Sequence, residues 1–217
     1  MALSKVNFNS LNLTPTASKV VKFNSSNNGL EAGDVGGAMT LISSQTASSS
    51  SAVDFTSGID STYKEYIFKY INCHASADDV IFSFQADTGT NTNYNLTVTS
   101  SFFSARHGED DSNGNLNYVA NRDQAQGTGD IKLHYDTGNQ TTSECVSGTL
   151  HLFDPSSSTF VKHFMSTSND SGYTSTGASQ NNFVAGYFNT TTAITRVRFK
   201  MTSGNIDSGT IKMYGVT

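Results

Sequence analysis

From Ile194 to Met201 the chain sets Val197, Phe199 and Met201 in alternation with Arg196, Arg198 and Lys200. A period of two places apolar side chains on one face of a strand and cations on the other. The pattern resumes with Ile211 and Met213 against Lys212 and Tyr214, after SGNIDSG has supplied the Gly and Asn that turns with positive φ require. Ile194 to Val216 therefore reads as a β-hairpin that closes a sheet.

The same period recurs upstream. Glu65 to Cys73 puts Tyr66, Phe68 and Tyr70 on one face and Ile67 and Ile71 on the other, which predicts a central strand or one covered by a partner. Val80, Phe82 and Phe84 follow the turn residues Asp78 and Asp79, so this strand and the previous one read as a hairpin or an adjacent pair. Further strands are predicted near 38–46, 52–55, 96–103, 131–135, 145–153, 160–165 and 182–188. Between them, Arg106 to Asp130 is polar and charged and reads as an exposed loop with one short strand around Tyr118. The first residues differ. Leu3, Val6, Phe8, Leu11, Leu13, Val20, Val21 and Phe23 are spaced among Asn, Ser and Thr with no sustained period, as in an arm that orders against a neighbour, or in an edge strand of the same domain.

About ten to twelve strands with turn signals between them, and no helical period, give the fold class: all-β, a jelly-roll-like antiparallel β-sandwich. Residues 1–35 form an extended N-terminal arm in this reading, and residues 36–217 the sandwich. Composition agrees, since charged residues are only 14% and Ser, Thr, Asn and Gly dominate the polar remainder. A net charge of −5 argues against nucleic acid as a partner. No run has the length of a signal-peptide core or a membrane span, so a soluble protein made in a cytosol, without membrane insertion, is expected.

Candidate chemistry is sparse. Cys73 and Cys145 lack disulfide or zinc spacing and read as buried free thiols. The five histidines, at 74, 107, 134, 151 and 163, have no catalytic partner by spacing; His134, His151 and His163 are placed within strands. Glu109, Asp111, Asn113 and Gly114 imitate the first half of a calcium loop, but Ala120 occupies the place of its closing Glu. With no GxSxG elbow and no phosphate-binding glycine motif, neither an enzyme nor a cofactor is expected. Tyr118, Arg122, Asp123 and Gln124 combine an aromatic ring with planar polar groups and are the candidate recognition set. Arg196, Arg198, Lys200 and Lys212, four of 13 basic residues, are the candidate subunit contact, facing an acidic loop such as Glu109 to Asp111 of a neighbour.

Four segments carry a resemblance. ALSKVNFNSLNLTP with KFNSSNNGLE, QTASSSSAVDFTSGIDSTYKEYIFKYIN, SGTLHLFDPSSSTFVKHFMS and VAGYFNTTTAITRVRFKMTSGNIDSGTIKMYGV resemble virion structural proteins of tailed bacteriophages, notably marine cyanophages and pelagiphages. The resemblance runs over nearly the whole chain and implies a tail-associated or fibre-like component of the virion, with a capsid decoration or cement protein as the alternative. Its implied partners are other virion proteins, further copies of itself in a homo-oligomer such as a trimer, and a host-surface glycan or protein.

Overall fold

The structure is a computed structural model that describes residues 20–26, 28–33, 39–112, 114–139, 144–171 and 177–216. The chain divides into two compact units, Met1–Ala38 and Met39–Thr217. In the first, β1 (Val20–Phe23) and β2 (Leu30–Gly33) pair antiparallel, with Val20 opposite Gly33 and Phe23 opposite Leu30. The described part of the expected extended arm is thus a hairpin. Its turn closes through Asn24, whose amide donates to the Gly29 carbonyl at 2.9 Å while its side-chain oxygen accepts the Asn28 amide. Leu3 to Leu13 lie outside the described residues.

The second unit is all-β and antiparallel, as the periodicity predicts. Among the described residues, one sheet has nine strands: β3 (Met39–Ser50), β15 (Ile206–Val216), β5 (Glu65–Ala75), β11 (Val146–Phe153), β12 (Lys162–Asp170), β13 (Ala178–Phe188), β7 (Val98–Gly108) and β8 (Asn115–Tyr118) in that order, with β9 (Gln124–Gly127) also on β7. The other has four, ordered β10 (Ile131–Lys132), β6 (Phe82–Thr88), β14 (Ile194–Met201) and β4 (Val53–Phe55). The stretch from Arg106 to Asp130 is therefore less loop-like than expected, because β7 runs on to Gly108 and two short strands follow it.

The closing pair of strands departs from the expected hairpin. β14 pairs with β4 and β6, whereas β15 pairs with β3 and β5, so the two arms belong to different sheets. β5 and β6 divide in the same way, and the two crossovers are bonded to each other. Thr202 donates its amide to the Ile81 carbonyl at 2.9 Å, and Ser76 donates to the Asn205 carbonyl at 3.0 Å. Two neighbouring corners thus roll a pair of strands over into both sheets, which is the jelly-roll-like element of the sandwich. Burial still follows the period: Val197, Phe199, Met201, Ile211 and Met213 are buried.

Aromatic rings fill the space between the sheets. Phe199 on the four-stranded sheet meets Phe68 and Tyr70 of the nine-stranded sheet at ring-centroid distances of 5.5 and 6.4 Å. It also stacks on Phe82 at 5.6 Å and touches Phe55 and Phe84, each at 6.2 Å. Phe84 extends the array to Phe164 and Phe188 on β12 and β13, at 5.2 and 6.0 Å. Close packing here needs glycine at one crossing point, since a Cβ on Gly148 would come within 2.6 Å of the Tyr70 hydroxyl and 2.4 Å of the Thr167 carbonyl oxygen.

Replacing Phe199 removes the ring shared by both sheets. Phe199→Ala is expected to lower unfolding free energy by about 3–5 kcal/mol, the range for deleting a buried aromatic side chain, with urea denaturation as the measurement. A loss below about 1 kcal/mol would contradict its central place.

Candidate functional site

The two outer faces of the sandwich differ sharply. On the four-stranded sheet, Ser83, Gln85 and Asp87 are buried although polar: Ser83 Oγ donates to the Lys200 carbonyl at 3.0 Å, and the loops at 89–97 and 128–130 lie over Gln85 and Asp87. Gln85 Nε2 donates to the carbonyls of Leu96 and Gly129 at 3.2 and 3.1 Å, and Asp87 Oδ2 accepts the Tyr94 amide at 2.8 Å.

The proposed basic contact residues lie on this covered side, apart from Lys212. Arg198 forms a two-pronged pair with Asp54 at 2.8 and 2.7 Å and lies 4.0 Å over the Tyr94 ring. The bond to Asp54 holds its guanidinium pKa above the ordinary value. Lys200 reaches Asp130 at 3.7 Å, and Arg196 Nε donates to the Gly89 carbonyl at 3.1 Å. Lys212, in the other sheet, is opposite Lys69. The expected single cationic face is therefore not formed, because the strands that carry these residues separate.

Among the described residues of the unit Met39–Thr217, the outer face of the nine-stranded sheet is bare. Successive register pairs place Leu41, Tyr214, Ile67, His151, Met165, Ala185 and Ser101 in one row across seven strands. The adjacent row runs Lys212, Lys69, Thr149, Thr167, Phe183, Phe103, Tyr118. Phe103 and Phe183 stack at 4.8 Å, and Leu41, Phe103 and Met165 are 51%, 40% and 56% exposed. A shallow groove of about 570 Å³ crosses this face, with Ser101 and Ala185 among small residues between Phe153, His163, Met165 and Tyr187.

The candidate recognition set is split by the fold. Tyr118 joins the bare face through its pairing with Phe103, and its hydroxyl donates to Asp123. Arg122 and Gln124 turn inward: Arg122 Nε donates to the Tyr135 carbonyl at 3.0 Å with its guanidinium 5.0 Å over the Tyr135 ring, and Gln124 Nε2 donates to the Asp130 carbonyl at 3.4 Å. They brace the segment more than they present it.

Of the histidines, His151 contacts Glu65 at 2.5 Å on the bare face, His163 lies beside Tyr187, His107 is 3.3 Å from Asp111, and His74 is 3.9 Å from Asp207. His134 is not in a strand; it follows β10 and is fully buried. Its Nε2 accepts the Phe82 amide at 2.6 Å, so the neutral ring carries its proton on Nδ1, which faces Asp170 Oδ2 at 3.8 Å. Asp170 Oδ1 accepts from Asn182 at 2.6 Å. Burial pushes the Asp170 carboxyl up to about 8 and the His134 imidazole down to about 3, so both are neutral near pH 7 and the 3.8 Å contact is not an ion pair. This polar end of the core was not anticipated, yet its signal was present: Ser166, Ser168 and Asp170 continue the inward face that Lys162 and Phe164 begin.

Cys73 is buried, which pushes its thiol up to about 12, while Cys145 is half-buried. In the incomplete calcium motif, Asp110 accepts from the Ser112 amide and hydroxyl, and Asn113 lies outside the described residues.

No family model matches the chain, and neither does any curated protein. Among solved structures, the crystal structure of the infectious bursal disease virus VP2 subviral particle aligns over 92% of this chain and 46% of that chain, at 11% identity and a TM-score of 0.16. The chain thus spans less than half of that protein's length, and the likeness is too distant to define a shared architecture.

The pH dependence of the buried pair has a definite sign. A carboxyl raised on folding stabilises the fold at low pH, and its contribution is lost as pH rises from about 4 towards about 8; the depressed imidazole loses its contribution as pH falls from 6.5 towards about 3. The two oppose each other between about 4 and 6.5, and Asp170 acts alone above that. Asp170→Asn, a neutral isostere, is expected to reduce the loss of thermal stability between pH 6.5 and 8 relative to the parent. Parallel melting curves for both proteins would contradict a neutral buried carboxyl.

Proposed function

We propose that this chain is a non-enzymatic structural protein of a tailed-phage virion, tail-associated or fibre-like, displayed on the particle as a homo-oligomer and contacting other virion components or the host surface. The observation that carries the reading is the asymmetry of the sandwich. Polar residues on one outer sheet face are buried under loops, while the other face presents rows of aromatic, hydroxyl and aliphatic side chains across seven strands. A flat face of this composition suits contact with a broad partner better than turnover of a small substrate. The sequence resemblance of its four segments to phage virion proteins supplies the setting.

The low charge of the chain also supports this role. At 14% charged residues, its surface offers hydroxyls and amides whose contacts are little affected by salt screening. The leading unit adds an attachment element: Val21 and Phe23 on its hairpin are 48% and 70% exposed, and a two-stranded hairpin gains stability when another surface packs on it.

Quantitative mass spectrometry of purified particles is expected to find the chain at a few dozen copies or fewer. Hundreds of copies would replace the tail assignment with capsid decoration, and absence from particles would end the virion reading. Because the apolar core draws on residues from Ala47 onward, deletion of Met1 to Asp34 is expected to leave the unfolding midpoint within about 2 °C while preventing incorporation. A truncated chain found in particles would refute that role for the leading segment.

A further inference from the structure

Lys69 and Lys212 are direct cross-strand neighbours on the bare face of the nine-stranded sheet. Like charges in that relation repel. Neither has an ion-pair partner among the described residues, and Lys69 Nζ lies 5.7 Å from the centroid of the Tyr214 ring. Three other cations of the sandwich have carboxylate partners, Arg198 with Asp54, Lys200 with Asp130 and Lys64 with Asp154, and Arg196 and Lys132 are held by backbone carbonyls.

The chain also carries the complementary surplus. Glu109, Asp110 and Asp111 are exposed at the turn between β7 and β8. The turn is held in shape by the Glu109 amide donating to Gly177 at 3.2 Å and the Gly108 amide donating to Ser112 at 2.8 Å. It presents carboxylates from a fixed frame, with His107 Nε2 lying 3.3 Å from Asp111 Oδ1.

One copy cannot bring these two features together. The lysines are on β5 and β15, and the acidic turn follows β7, with β11, β12 and β13 between them. At about 4.8 Å per strand, the β5-to-β7 separation is roughly 19 Å within a rigid sheet. An acidic turn that meets these lysines therefore belongs to a second copy.

We propose that Lys69 and Lys212 receive the acidic turn Glu109–Asp111 of a second copy, in a head-to-tail contact laid over the bare sheet face. This rests on the reading of the chain as a homo-oligomer and names the surfaces that join. Seven strands spaced by about 4.8 Å, each roughly 30 Å long, offer on the order of 900 Å², against about 800 Å² per partner in a stable interface. The exposed Leu41, Met165 and Phe103 supply its apolar part, and the lysine pair sets the register. Because the joined patches differ, the contact is heterologous and closes into a ring when the rotation permits.

Charge reversal tests this on the full-length chain by sedimentation velocity. Lys69→Glu with Lys212→Glu, and separately Glu109→Lys with Asp111→Lys, are each expected to weaken assembly by at least about tenfold. All four changes in one chain are expected to restore it to within about threefold of the parent. Lys69→Gln with Lys212→Gln, a milder change, should fall between, and equal melting temperatures confirm intact folds.

Assembly unchanged by either reversal would overturn the proposal, as would a fourfold variant as dissociated as the pairs. A parent chain that stays monomeric with both lysines slow to acetylate would assign the face to the chain's own leading segment and also overturn it. The virion reading is decided separately by particle mass spectrometry, so a monomeric chain still found in particles removes this contact alone.

Discussion

The constraint on which this sandwich rests is the meeting of five aromatic rings around Phe199. A ring packed between two sheets fixes their separation and their lateral offset, since aromatic pairs hold preferred edge and stacked geometries at centroid distances of about 4.5–7 Å. The Phe82 and Phe199 rings lie within 12° of parallel, while Phe55 meets Phe199 at 85°. The two geometries fix the registers of β14 against β6 and against β4, which leaves little freedom for slippage. Gly148 belongs to the same constraint, because its missing side chain admits the Tyr70 hydroxyl, which bonds Ser166 at 2.9 Å.

The unequal width of the sheets governs what the surface can do. A four-stranded sheet over a nine-stranded one needs loops to cover its outer polar residues; those loops supply Gly89 to Arg196, the Tyr94 ring to Arg198 and Asp130 to Lys200, while Asp54 of β4 pairs with Arg198. Among the described residues of its own unit, the wider sheet has an open outer face, with Tyr118, Phe103 and Phe183 at one side and Lys69 and Lys212 at the other. Arg198 is held to Asp54 through paired hydrogen bonds and an aromatic platform, the geometry in which arginine is hard to replace by lysine. That cation is structural, whereas the two opposed lysines are in tension.

Periodicity made the strands legible because burial on one face repeats every second residue, and Val197, Phe199, Met201, Ile211 and Met213 all face inward as the pattern requires. It could not reveal pairing. Alternation fixes which way a side chain points and is silent on its neighbour across the ladder, so two well-patterned strands joined by a Gly-rich turn imitate a hairpin although they enter separate sheets. The candidate site suffered from the same blindness. Arg198 finds its carboxylate 144 positions earlier, Arg122 bonds a backbone carbonyl, and Lys212 faces Lys69, none of which local pattern encodes. The buried His134 and Asp170 were readable only in part, since inward Ser166, Ser168 and Asp170 mark a polar end of the core without naming what they meet.

The corner between β14 and β15 bears on how the molecule comes into being. β15 is flanked by β3 and β5 in the interior of the large sheet, so during synthesis that sheet has a gap until nearly every other strand has left the ribosome. Until then β3 has no ladder partner in the sheet, and β5 exposes one edge. Pairings that span most of the chain form slowly, and open edges recruit other chains. A surface of hydroxyls and amides with few long apolar runs therefore serves the nascent chain as well as the finished one, keeping an incomplete sheet in solution while it waits for its last inner strand.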